Sequence, residues 1–386
     1  MKNRSDDLVI RKILWIILIL LILFFPTLSV NATQSDANKL EEEYSFSEID
    51  SKIGSLFQND SISVKDMVLG IMSGDLQSKI EFVKDITIHK IKNEVNGYRS
   101  IVVSVLLLGI ISALFAEFSK IFKNHQISDI SYYLVYLLLV TILIQIFSYA
   151  VSVTKEVIEN IVAFMKLLIP TFYLSVGMAS GELTALSFYK LTLCIIFGVE
   201  SLLVAFLLPL VYSYVFLAIL NGMMEEERLA KMLDIIKKGT EYLLNASLTV
   251  ITGFGILQSM ITPVIDTVKS SVLQKVVSAI PGIGGVVDTA TEVVYGSAVL
   301  IKNSIGIVLI LLLIVICVAP LCKLMLIAFI LKGCAAIIGI VSDKRITGCI
   351  DRVGDGGFLL FRTALTSIAL FFITIAIVAV STNRGF

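Results

Sequence analysis

Two pairs of prolines constrain this chain more than any other feature. Pro170 and Pro209 stand 39 residues apart, as do Pro281 and Pro320, and the second pair follows the first at an offset of 111. The same offset lays Ile219-Leu220-Asn221-Gly222 on Ile330-Leu331-Lys332-Gly333. After a six-residue slip, Arg228-Leu229-Ala230-Lys231-Met232-Leu233-Asp234 falls on Arg345-Ile346-Thr347-Gly348-Cys349-Ile350-Asp351, and Gly239 falls on Gly356. Polar, Gly and Pro positions carry this register, so it is not the chance alignment of two greasy stretches. The sequence predicts a duplicated unit: an apolar segment, a Pro, a shorter apolar segment, a charged amphipathic stretch and a closing apolar segment.

Such units belong in lipid. Hydrophobic residues make up 57% of the 386 positions and charged residues 16%, and the mean hydropathy is +0.93, whereas soluble domains are about 45–50% apolar. The formal charge is zero, so no basic excess points to nucleic acid. Five cysteines (Cys194, Cys317, Cys322, Cys334, Cys349) lie in or beside the apolar half without a C-x-x-C pair, the pattern of small buried side chains rather than of a zinc site or disulfide framework. With only His89 and His125 in the chain, a metal-dependent intramembrane enzyme has almost no ligands to use. Gly-x-Ser-x-Gly, His-Glu-x-x-His and Walker motifs are absent, so the sequence offers no catalytic, cofactor or metal residues.

Taken in order, residues 1–32 have the layout of a secretory signal: basic Lys2, Arg4, Arg11 and Lys12, an apolar run from Ile13 to Phe25, Pro26, and small residues before Thr33. Cleavage is the expected outcome, with an uncleaved anchor as the alternative. Residues 33–99 read as an extracytoplasmic region of two or three short amphipathic helices, with apolar residues at Val64, Met67, Val68, Ile71 and Met72. That region is either a docking surface or a helical cap. Two transmembrane helices are expected within 100–160, at Ser100–Ala116 and Ile130–Val151, joined by a weakly basic loop that favours the cytoplasm.

The first membrane repeat is placed at 161–262 and the second at 263–386. Each contains a long apolar stretch, Phe188–Leu220 and Ile305–Ile340, that is expected to bend at its proline or fold back as a hairpin. The linkers Glu225–Glu241 and Asp343–Asp355 alternate in sign and are expected to lie along the membrane surface as amphipathic helices. Altogether the fold class is an all-α polytopic membrane protein with six to eight crossings, in which Pro170, Pro209, Pro281, Pro320, Gly222 and Gly333 are hinge candidates. Repeat orientation, parallel or inverted, stays open.

Ionisable residues inside apolar segments are functional candidates because lipid makes them costly. Here they are Lys166, Lys190, Glu200, Lys302, Lys323 and Lys332. Lys190, Lys302 and Lys332 sit near segment ends, where snorkelling to the interface is expected. Glu200 is mid-segment, with a structural bond to Lys166 or Lys190 and a transport role as its two readings.

The order of these features resembles the stage III sporulation protein AE family. The likeness is most specific over Ala279-Ile280-Pro281 through Lys302-Asn303-Ser304-Ile305-Gly306 and on into Ala319-Pro320-Leu321-Cys322-Lys323-Leu324. The resemblance implies a non-catalytic subunit of a complex in the mother-cell membrane around the forespore. There it would act with other membrane and ring-forming subunits, a companion ATPase and the forespore's stage II sporulation protein Q as a channel or feeding apparatus needed for late forespore gene expression. Residues 33–99 would then lie between the two membranes. A homo-oligomer is compatible with this reading, and a stand-alone secondary transporter or export permease is the alternative from another class.

Overall fold

The computed structural model describes residues 63–73, 75, 77–78, 103, 107, 110–111, 125–180, 182–224, 228–278, 284–340 and 343–381. The expected signal, most of residues 33–99, most of the Ser100–Ala116 segment and Pro281 lie outside them. Everything with regular structure among the described residues is helical. The elements are α1 (Val64–Met72), α2 (His125–Ser180), α3 (Glu182–Glu200), a π-helical segment (Ser201–Leu207), α4 (Leu208–Met223), α5 (Ala230–Ser278), α6 (Gly284–Ile338) and α7 (Lys344–Ser381).

Short α1 forms because Ser63 caps it, its hydroxyl accepting from the Asp66 amide at 3.2 Å. Val64, Met67, Val68 and Met72 recur at helical spacing and all four are buried, joining the main apolar core through contacts with α6. This amphipathic helix is therefore part of the bundle's packing.

The long helices alternate in direction. At one end Tyr132 of α2 donates to the Gly222 carbonyl of α4 and stacks under Arg345 of α7. At the other end Met165, Ile169, Phe172 and Tyr173 of α2 meet Thr192 of α3, Leu309 of α6 and Thr374 of α7 around a small, mainly apolar cavity. Chain direction thus runs toward the cavity end in α2, back through α3 and α4, forward in α5, back in α6 and forward in α7. Helix α7 is the centre of the bundle: it packs most heavily on α6 and also on α5, α4 and α2, and Ile350, Val353, Leu360, Ala364 and Phe371 along it are fully buried.

Among the described residues, four helical stretches are long and apolar enough to cross a membrane: Tyr132–Gly177, Leu186–Met223, Ile301–Ile338 and Lys344–Ile377. The chain is a membrane protein on this evidence. Each stretch exceeds the roughly 20 residues that one crossing needs; the 46 residues of the first make about 69 Å of helix at 1.5 Å per residue.

Several expectations are corrected. The Ile130–Val151 segment and the first apolar segment of repeat 1 are one helix, because Ser152–Asn160 between them contains no Gly or Pro, and Lys155 and Glu159 form an exposed i,i+4 pair at 3.5 Å. Over their described residues the charged linkers are not separate helices. Residues 230–241 and 344–355 are the first turns of α5 and α7, continuous with the apolar segments that follow, since residues 230–262 and 344–381 contain no proline.

Nor do the prolines behave alike. The helical run continues through Pro170 in α2 and Pro320 in α6. Proline removes one backbone bond, and close packing by neighbouring helices offsets that loss. Pro209 instead falls in the first turn of α4, directly after the π-helical segment. There the wider turn accommodates the missing donor. Helices α3 and α4 follow one another without packing extensively side by side, so this stretch is not a tight hairpin.

Candidate functional site

Apolar helices create a demand for polar partners, because a buried charge without one is costly. Among the described residues, a network at the first third of α7 meets part of that demand. Asp351 and Asp355 are four residues apart and so share a helical face. Lys332 of α6 reaches both, its Nζ 2.8 Å from Asp351 Oδ1 and 2.8 Å from Asp355 Oδ1. Lys237 of α5 binds the other oxygen of Asp355 at 3.0 Å, and the Tyr214 hydroxyl of α4 donates toward that same oxygen at 3.5 Å. One carboxylate therefore ties together four helices. Two turns further along α7, Arg362 pairs with Glu241 of α5 at 3.2 Å.

Glycines let the helices come close enough for these contacts. A Cβ on Gly356 would press on Cγ2 of Val215 and stand 3.3 Å from the Phe147 ring, and one on Gly357 would stand 3.2 Å from Cβ of Ala328. Gly354 faces the stem of Lys332 in the same way, at 3.2 Å. The Gly354-Asp355-Gly356-Gly357 run thus combines an ion-pair acceptor with three close approaches, something composition alone does not announce.

Below the network, a tyrosine clamp fixes the α4–α5 turn. The last carbonyls of a helix lack intrahelical donors, and here Tyr132 donates to the Gly222 carbonyl at 2.7 Å while Tyr136 donates to the Ile219 carbonyl at 2.6 Å. Gly222 must be small, because a Cβ would collide with the Tyr136 hydroxyl and stand 3.1 Å from Cβ of Cys349. Asn221 Oδ1 accepts from the Leu229 amide at 2.9 Å, closing the turn. At the start of α7, Asp343 accepts from the Arg345 amide at 2.8 Å and from its guanidinium at 3.2 Å. Burial alone would raise the Asp343 carboxyl, but the Arg345 hydrogen bonds and charge outweigh it and hold it below the usual carboxylate range.

The residues singled out from sequence are distributed as follows. Lys332 is at the heart of the network with its side chain partly exposed, and Lys302 is fully buried inside the bundle, which is not the surface position expected of it. Lys166 and Lys190 are exposed and Lys323 is half-buried. Glu200 is the last residue of α3; its side chain, and with it the suggested pairing to Lys166 or Lys190, lies outside the described part. Gly222 is a packing position, whereas a Cβ at Gly333 would meet nothing within 4 Å. Sequence reasoning missed Asp351, Asp355, Lys237 and Tyr214, since the linkers holding the first three read as solvated faces. The usable signal was the 351/355 spacing opposite an intramembrane lysine. No group of three potential metal ligands comes together among the described residues.

A family model described as stage III sporulation protein AE matches residues 62–382. Stage III sporulation protein AE of Bacillus subtilis (strain 168) is 23% identical over 281 residues, covering 72% of this chain and 70% of its own length. No solved structure matches.

Proposed function

Because the chain belongs to the stage III sporulation protein AE family, we propose that it is a non-catalytic integral membrane subunit of the transenvelope channel or feeding complex between mother cell and forespore. The observation that carries the reading is the extent of the match, which begins before α1 and takes in all four candidate spans. On this reading the protein sits in the mother-cell membrane around the forespore, with residues 33–99 between the two membranes. Other membrane and ring-forming subunits pack around it, a companion ATPase supplies energy, and residues 1–32 direct insertion.

The test is solubilisation from sporulating cells followed by identification of what co-purifies. Sister subunits in stoichiometric amounts are expected, together with loss of late forespore gene expression when the chain is deleted. A lone oligomer, with normal forespore expression in its absence, would overturn the reading. Charged residues inside the candidate spans favour a second reading, an ion-coupled transporter. That reading requires ion-dependent uptake by the purified protein in liposomes.

A further inference from the structure

Each of the four candidate spans contributes to the lining of the small cavity at the end of the bundle opposite Arg345: Tyr173 from α2, Thr192 from α3, Leu309 from α6 and Thr374 from α7. Its volume of about 10 Å³ is the space that one water needs. It is far below the roughly 150 Å³ in which an apolar guest such as benzene is held. Size alone therefore leaves two states, a dry void or a single water, and the polar groups on its walls decide between them.

Tyr173 and Thr192 are both buried, and their hydroxyls are hydrogen-bonded to each other. Two hydroxyls carry two hydrogens, and the bond between them uses one whichever of them donates. The second hydrogen has no acceptor among the described residues. Other buried threonines of the bundle spend theirs on the carbonyl four residues back: Thr154 on Ala150, Thr363 on Leu359 and Thr374 on Leu370, at 2.7–2.9 Å. Thr192 departs from that pattern. The rings of Phe172 and Tyr189 pack edge-on against Tyr173, with centroids at 5.5 and 5.8 Å, so the phenol is held where it is. On the α7 wall Thr374 has the complementary surplus, since its hydrogen is committed to Leu370 while its oxygen keeps lone pairs to accept with.

We propose that this cavity is a binding site for one ordered water, which accepts from the Tyr173–Thr192 pair and donates to Thr374 Oγ1, so tying α2, α3 and α7 together beside α6. Its second hydrogen returns to a lone pair of the hydroxyl pair, which gives the water the two to three bonds that buried waters make. A dry void would strand a buried donor and leave it uncompensated. Hydrocarbon around the bundle offers no substitute partner, so the water is the group that completes the polar contacts where the spans converge. The rest of the lining is apolar, which confines occupancy to a single molecule. This inference stands on the cavity and its hydroxyls, independently of membership in a sporulation complex.

The experiment is water-edited solid-state NMR of the full chain in lipid bilayers with isotope-labelled threonine. Polarisation that starts on water protons should reach Thr192 and Thr374 at least threefold faster than Thr154 and Thr363, which are as deeply buried but do not line the cavity. Equal build-up at all four threonines would overturn the proposal by showing a dry void. Transfer from lipid acyl protons to Thr192 and Thr374 ahead of transfer from water would overturn it too, by showing that the cavity is filled by lipid. A second measurement uses the double variant Tyr173→Phe/Thr192→Val, which keeps the shape of the walls and deletes both hydroxyls. Transfer to Thr374 should then drop to the rate at Thr363, and fast transfer that survives the double substitution would refute the assignment of the pair as the water's anchor. Should the double variant fail to fold, the measurement on the unsubstituted chain still decides between water and void.

Discussion

Gly356 and Gly348 lie two turns apart on α7 and give the sharpest test of how tightly this bundle is packed. Replacing glycine by alanine inside a helix gains about 1 kcal/mol through backbone entropy wherever the methyl has room. At Gly348 a Cβ meets nothing within 4 Å, so Gly348→Ala should gain about that amount. At Gly356 the new methyl runs into Val215, with the Phe147 ring 3.3 Å away. Val215 is itself buried and β-branched, with one preferred rotamer in a helix, so it has little room to yield. Overpacking of this kind costs about 1–3 kcal/mol, and the stiffness of Val215 points to the upper end, leaving Gly356→Ala about 2 kcal/mol less stable than the parent. The two variants should then differ by about 3 kcal/mol, or roughly 6 °C in Tm at about 2 °C per kcal/mol. Heating in detergent with a thiol-reactive fluorogenic dye reads this directly, because Cys317, Cys334 and Cys349 are buried until the bundle opens. Adding Val215→Ala to Gly356→Ala should recover part of the loss by making room. Equal melting of the two glycine variants would refute the close approach of α7 to α4.

Other expectations follow from the same contacts. Asp355→Asn weakens both lysine contacts and should destabilise more than Asp351→Asn, after which Lys332 still has Asp355; charge-assisted bonds contribute about 1.5–3 kcal/mol each, and earlier proteolytic nicking of α5 in the first variant is the readout. Tyr136→Phe removes a donor to the Ile219 carbonyl and should cost about 1–2 kcal/mol in the same melting assay, whereas Tyr149→Phe at an exposed position should change nothing. Asp343 is held below its ordinary pKa in the fold, so its contribution is complete above the unfolded value of about 3.9 and is lost as pH falls through the lower folded value. Melting should therefore show an acid limb below about pH 4 that Asp343→Ala flattens, at a cost of about 1 kcal/mol at neutral pH through loss of the helix-start contacts.

What the sequence made legible was whatever depends on local pattern. The all-helical membrane class came from composition and run length. The buried face of α1 came from the spacing of Val64, Met67, Val68 and Met72, which the structure buries as a set. What it concealed was depth. Glu225–Glu241 and Asp343–Asp355 alternate in sign like any solvated helix, and nothing local distinguishes a charged face turned to water from one turned to a lysine on another helix. Only the tertiary contact of Asp355 with Lys332 makes that distinction. Proline is hard to read for a related reason: its local penalty is fixed, but the helical run continues through Pro320 in a helix that packs on α2 and α7, whereas a π-helical segment precedes Pro209.

The 111-residue register expected from the sequence pairs two positions whose contacts can be compared. It lays Asn221 on Lys332, and each of these residues fastens a descending helix to the ascending helix that follows it. Asn221 does so over a short distance, accepting from Leu229 across the α4–α5 turn; Lys332 does so a full nineteen residues on, by ion pairing with Asp351. An uncharged tie suffices where the turn itself is held by the tyrosine clamp. At the α6–α7 connection the tie is ionic and reaches deeper into the bundle, so the lysine at this position also brings charge into a candidate span. Exchanging the two chemistries tests this assignment: Lys332→Asn should loosen α6 from α7 and lower Tm by several degrees, while Asn221→Lys should disturb only the α4–α5 turn. If the two substitutions weaken the protein equally and at the same place, the division of labour between the hairpins is wrong.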